Sequence, residues 1–166
     1  MLRLRPYKPC DADTIASWIK SEYIFRQWGA EMIKPYPVTA QSLNEHYEKF
    51  ENIDTFWAMT AFEEDKVVGH MIMRFPGANK DTIRFGFIIV DDSKRGKGYG
   101  KEMLKLALTY AEKILKVKKV TLGVFDNNDS AYNCYSSVGF KIIPEKKELY
   151  NIGDEIWSGT EMEIEF

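Results

Sequence analysis

Apolar positions along the chain repeat with strand period in some stretches and helix period in others, and the alternation between them predicts the elements. Leu2 to Arg5 alternates and reads as a first strand. Ile15, Trp18 and Ile19 follow Asp11 and Asp13, either of which can cap a helix. Between Glu22 and Pro37, the aromatic residues Tyr23, Phe25, Trp28 and Tyr36 lie among Gly29, Pro35 and Pro37 with no clear period. Thr39 is placed to cap a second helix carrying Leu43, His46, Tyr47 and Phe50. Phe56 to Phe62 and Val67 to Phe75 read as strands joined by a hairpin at Glu63-Glu64-Asp65-Lys66. A turn over Pro76 to Lys80 leads into a central strand, Ile83 to Val90, whose end, Phe-Gly-Phe-Ile-Ile-Val, is apolar enough to be buried.

Beyond Asp91-Asp92-Ser93 the period becomes helical from Gly98 onward. Leu104, Ala107, Leu108, Ala111 and Leu115 share one face, with Lys101, Lys105, Glu112 and Lys116 elsewhere. Thr121 to Phe125 predicts the next strand. Ala131, Cys134, Tyr135 and Val138 predict a short helix, ended by Gly139 where a left-handed cap is favoured. Phe140 opens another strand, Tyr150 to Glu155 reads as an irregular loop, and Trp157 to Phe166 as a closing strand. Pattern alone gives an α/β or α+β fold.

The chain has 166 residues, 45% hydrophobic and 29% charged, the balance of one ordinary globular domain spanning 1–166. A net charge of −2 implies no broad basic face, so no nucleic-acid partner is expected. Lys113, Lys116, Lys118 and Lys119 cluster where they complement a helix C-terminus. No apolar run approaches a membrane span. The opening Met-Leu-Arg-Leu-Arg-Pro lacks the core of a signal peptide, which predicts a cytoplasmic protein with free thiols at Cys10 and Cys134. His46, His70, Cys10 and Cys134 lack ligand spacing, so no metal is expected. The same shortage of partners makes Cys134 a core thiol rather than a nucleophile.

The candidate chemistry begins at Arg95-Gly96-Lys97-Gly98-Tyr99-Gly100-Lys101, between the apolar strand and the long helix. A glycine-rich turn feeding a helix leaves N–H groups unpaired at the positive end of the helix dipole, and Arg95, Lys97 and Lys101 add charge there. This turn is suited to a phosphate. Its spacing fits neither common nucleotide loop. Gly96 and Gly98 are followed by Lys101 where a dinucleotide fingerprint needs glycine, and Gly100-Lys101 is followed by Glu102 where a Walker A loop needs Ser or Thr.

The remaining pattern, Arg95-x-x-Gly98-x-Gly100 between strand and helix, resembles the pyrophosphate loop of the GNAT superfamily of acyl-CoA-dependent N-acetyltransferases. The string Asn128-x-x-Ala131-x-x-x-Tyr135-x-x-x-Gly139-Phe140, about one helix and one strand further on, resembles that superfamily's second signature block. The resemblance is specific over residues 83–140. It implies an α/β fold with a mixed sheet of about seven strands, splayed between the fourth and fifth, and about four flanking helices. It also implies acetyl-CoA as co-substrate. The backbone of Phe87, Ile88, Ile89 and Val90 would pair with the pantetheine arm, Arg95 to Lys101 (with Gly96, Lys97, Gly98, Tyr99 and Gly100) would grip the pyrophosphate, and Asn128 would contact pantetheine. Tyr135 would protonate the departing thiolate.

The implied activity is acetyl transfer to a primary amine, either a small molecule or a protein N-terminus, by direct attack in a ternary complex. A second reading is a CoA-binding regulatory or interaction module without catalysis. Many members of the superfamily carry a glutamate base at the position of Arg84 or of Gly123, and this chain has neither. Glu22, Glu31, Asp126 and His70 are substitutes, as is a water relay. The aromatic 22–37 segment and the Tyr150 to Trp157 stretch would flank the acceptor. The opening Leu-Arg-Leu-Arg-Pro resembles the branch that includes ribosomal-protein N-terminal acetyltransferases. An exposed closing strand would offer an edge for a homodimer.

Overall fold

The computed structural model describes residues 1–166, apart from the side chain of Glu145. Elements run β1 (Arg3–Pro6), α1 (Ala12–Ser17), α2 (Glu22–Gly29), α3 (Ala40–Glu48), β2 (Phe56–Glu63), β3 (Lys66–Arg74), β4 (Thr82–Val90), α4 (Tyr99–Lys113), β5 (Lys119–Phe125), α5 (Asp129–Val138), β6 (Lys141–Ile152) and β7 (Glu155–Glu165). Short 3-10 turns, Pro9–Asp11 and Asp92–Lys94, precede α1 and follow β4.

The strands form one sheet in the order β1-β2-β3-β4-β5-β7-β6. Only β4 and β5 are parallel, and they pair only from Thr82 to Arg84 against Lys119 to Thr121. Beyond Arg84 the two strands lose each other, so the rest of β4 has an open edge. This is the splay expected between the fourth and fifth strands. Helices α1 to α3 cover one face over Ile15, Phe25, Leu43, Ile72 and Phe87. On the other face α4 and α5 pack on Met71, Met73, Phe85 and Leu122.

A bulge on β4 decides which side chains enter which layer. Ladder pairs run from His70↔Ile89 to Ile72↔Gly86, which leaves an extra residue on β4, and Phe87 there adopts φ +48. An extra residue reverses the faces of the positions beyond it. Ile83 and Phe85 accordingly lie in the α4–α5 layer, whereas Phe87 and Ile89 lie in the α1–α3 layer. The β2–β3 hairpin turns at Glu64 and Asp65, both at positive φ, as a two-residue loop requires.

Several sequence expectations change. The 22–37 segment holds α2, a helix capped by Ser21 and ended by Ala30 in the left-handed region, so the helices number five rather than about four. Its period is masked because only Phe25, Trp28 and Gly29 are buried over barely two turns. Asp11 precedes α1 but makes no side-chain cap. Its carboxylate instead takes a bidentate bond from Arg5, plus bonds from Thr60 and the Lys8 N–H. Tyr150 to Glu155 is no irregular loop, because β6 and β7 pair up to Ile152↔Glu155 and turn at Gly153, φ +58. Met103 joins the buried face of α4, while Leu108 and Leu115 are only partly buried. The closing strand β7 lies between β5 and β6, so the homodimer expectation loses its stated basis.

Candidate functional site

The split between β4 and β5 opens into a cavity of about 820 Å³, bounded by α2, the 94–101 turn, α5 and the β6–β7 hairpin. Gly96 and Gly98 both take positive φ, +74 and +85, and Gly98 is the N-cap of α4. A side chain is costly at such angles, so glycine sets this turn. Among the described residues, the N–H groups of Gly96, Gly98, Tyr99, Gly100 and Lys101 meet no main-chain partner, and the ladder of α4 begins at Glu102→Gly98. These groups and the helix dipole make an anion cradle. Gly100 permits close packing, since a Cβ there would lie 3.3 Å from Cys134 Sγ and 3.6 Å from Val90.

Phe87, Ile88, Ile89 and Val90 line the cavity along the open edge of β4. The Phe87 carbonyl is already taken by Trp28 Nε1 at 2.9 Å, which ties α2 to the bulge. From the turn, Arg95, Gly96, Gly98, Tyr99, Gly100 and Lys101 reach the cavity. Lys97 does not line it, because its side chain leaves the turn on the exposed side. Lys94 does, although no motif in the sequence marks it. The Tyr99 hydroxyl donates to Glu63.

Opposite β4, Asn128 caps α5, its Oδ1 accepting from the Ala131 N–H at 3.2 Å. Its amide nitrogen is left to donate into the cavity it lines. Tyr135 is buried and lines the same cavity, and its hydroxyl meets no partner among the described residues. Burial, reinforced by Cys134, pushes the phenol well above its ordinary pKa, so at neutral pH it is a proton donor. Cys134 is half-buried and also lines the cavity, rather than sitting in the core; burial raises its thiol pKa.

None of Glu22, Glu31, Asp126 and His70 lines the cavity. Glu22 and Glu31 both pair with Arg26. Asp126 accepts from Ser158, Thr160 and Lys147, and these bonds lower its pKa. His70 is fully buried, its Nε2 2.6 Å from the Tyr47 hydroxyl, and burial pushes its pKa down to about 3.

A different carboxylate is present, on β7. Glu161 stands opposite Gly123 in the β5–β7 ladder and holds the Arg84 guanidinium through bonds of 2.5 and 2.8 Å. That pair spans β5 above Gly123, where a Cβ would come within 2.7 Å of Glu161 and 2.8 Å of Arg84. Of the two positions expected to hold a base, Arg84 is thus one partner of an ion pair and Gly123 leaves the room for it, with the carboxylate moved one strand over to Glu161. Strand order had to be known to see this. Both oxygens of Glu161 are spent on Arg84, so its geometry serves positioning rather than proton removal. Tyr150 and Glu148 line the same wall, joined by a 2.6 Å bond. Burial, with Glu148 adding to it, pushes Tyr150 up to about 12.

The acetyltransferase (GNAT) family model matches residues 14–140. An N-acetyltransferase 9-like protein of Caenorhabditis elegans is 26% identical over 159 residues, covering 84% of this chain and 75% of that one. A spermine/spermidine N(1)-acetyltransferase of Bacillus subtilis is 31% identical over 84 residues; the match spans 48% of this chain and 55% of that relative. Among solved structures, spermidine N-acetyltransferase from Vibrio cholerae, in complex with CoA and spermine, superposes with a TM-score of 0.83 at 22% identity. That match covers 99% of this chain and 95% of that one, and shows a shared fold.

Proposed function

Because the chain belongs to the acetyltransferase (GNAT) family, whose model spans most of it, we propose that it transfers the acetyl group of acetyl-CoA to a primary amine, on a small molecule or a protein N-terminus. The observation that carries this is the junction of an unpaired N–H cradle, an open strand edge and the unpartnered hydroxyl of the buried Tyr135 within one cavity. The cradle of Gly96 to Lys101, with Arg95 and Lys94, would hold the pyrophosphate. The open edge of β4 from Phe87 to Val90 and the Asn128 amide would hold the pantetheine arm as an added strand is held.

In the transfer, the neutral amine nitrogen attacks the thioester carbonyl carbon. The ammonium of the tetrahedral intermediate loses a proton to solvent, the oxyanion collapses, the C–S bond breaks, and the CoA thiolate takes the proton of the Tyr135 hydroxyl. Tyr135 then recovers a proton from solvent. With Glu161 committed to Arg84 and Tyr150 held protonated, the acceptor is deprotonated by water rather than by a side chain. The polyamine acceptors named for the Bacillus and Vibrio proteins make small amines the natural first panel.

The test is incubation with acetyl-CoA and a panel of amines, reading released thiol and the mass of the acetylated product together. Acetylated amine formed in step with free CoA is expected. CoA that binds while no amine is ever modified would overturn the proposal in favour of a CoA-binding module.

A further inference from the structure

On the acceptor side of the split, the cavity wall carries two guanidiniums, those of Arg74 and Arg84, and two carboxylates, those of Glu148 and Glu161, and of these four Arg74 alone lacks a partner. Arg74 and Arg84 are direct cross-strand partners on β3 and β4, and both line the cavity. Like charges placed opposite one another destabilise a ladder unless something lies between or beside them. Arg84 has its counter-charge in Glu161. Arg74 is half-buried and makes no hydrogen bond or ion pair with any described residue. Burial, then the neighbouring Arg84, push the Arg74 pKa down, which is the response of a guanidinium lacking an anion.

The CoA phosphates are poorly placed to supply that anion. Arg84 stands at the end of β4 that pairs with β5, whereas the cradle packs at the opposite end of the strand, where a Cβ on Gly100 would lie 3.6 Å from Val90. The pantetheine arm crossing that interval carries no charge. The remaining source is the acceptor.

We propose that Arg74 binds a carboxylate carried by the amine acceptor, so that the preferred acceptor is an amino acid or an acidic peptide terminus rather than a polyamine. This rests on the acetyl-transfer reading above. Arg74 presents a planar fork of donors suited to bidentate carboxylate recognition, and Glu161 prevents Arg84 from competing as a second free cation. Glu161 is engaged by Arg84 through both oxygens. The Glu148 carboxylate already accepts from the Tyr150 hydroxyl.

The experiment compares kcat/KM for matched acceptors: a free amino acid against its amide, a dipeptide with an acidic second residue against its Gln counterpart, and spermidine. Wild type should prefer the carboxylate member of at least one pair by about 10-fold or more. The pair that shows it distinguishes a free amino acid from a peptide terminus. In Arg74→Gln that ratio should collapse toward one, and Arg74→Lys should restore part of it. Equal use of both members of each pair, or spermidine as the best acceptor in wild type, would overturn the proposal. So would failure of every carboxylate-bearing amine. CoA affinity measured in the same samples tests the cradle separately, so loss of that reading is not confused with loss of this one.

Discussion

Replacing Glu161 by Leu removes the counter-charge of a guanidinium that cannot easily leave the wall between β4 and β7. The side chains of Glu161 and Arg84 are 9% and 25% exposed, and they are joined by two bonds across Gly123. Breaking a fully buried pair by removing one partner costs about 3–5 kcal/mol. The partial exposure of Arg84 admits water, so about 2–3 kcal/mol is expected here. For a chain of this size that corresponds to a fall in Tm of about 4–12 °C. Arg84→Met should cost a similar amount by stranding Glu161. The double variant, with two apolar side chains in the space above Gly123, should return to within about 1 kcal/mol of wild type. Urea unfolding of all four proteins gives the coupling energy directly. Single changes that cost under about 0.5 kcal/mol and add in the double variant would show that the pair does not act as a unit.

The buried His70 makes stability depend on pH. Its folded pKa, pushed down to about 3 by burial, lies below its unfolded value of 6.5, so the unfolded chain binds the extra proton between them. Its contribution is complete above pH 6.5 and declines as pH falls toward 3, by about 1.4 kcal/mol per pH unit. His70→Gln should flatten the slope of unfolding free energy between pH 6.5 and 4.5, and an unchanged slope would refute the assignment. At the cradle, Gly98→Val forces a β-branched residue to φ +85 and should weaken CoA binding at least tenfold while the rest of the fold persists. Calorimetric titration of a folded variant with wild-type affinity would remove the turn from the site.

Much of this site could be read in the chain because its parts are local. The turn from Arg95 to Lys101 and the string from Asn128 to Gly139 each carry their conformation in consecutive residues, and Gly98, Asn128 and Gly139 occupy the cap positions their chemistry predicts. What escaped the sequence depends on pairing between distant strands. Glu161 gains meaning only opposite Gly123, and Arg74 only beside Arg84. Trp28 was hidden for another reason. It lies on a helix of barely two turns, too short to show a period, and its role is to bond the carbonyl of a bulge that no hydrophobic pattern marks. The missing base was legible as an absence, and the structure explains it by filling that space with an ion pair.

Acetyl transfer in the cavity between β4 and β5, with Tyr135 as the acid, is decided by the kinetics of Tyr135→Phe. The change removes one hydroxyl and keeps the ring that packs near Phe140. Acetyl-CoA affinity should stay at the wild-type value while kcat falls by about 10²-fold or more. A kcat equal to wild type at unchanged affinity would contradict this mechanism and leave Tyr135 as a packing residue.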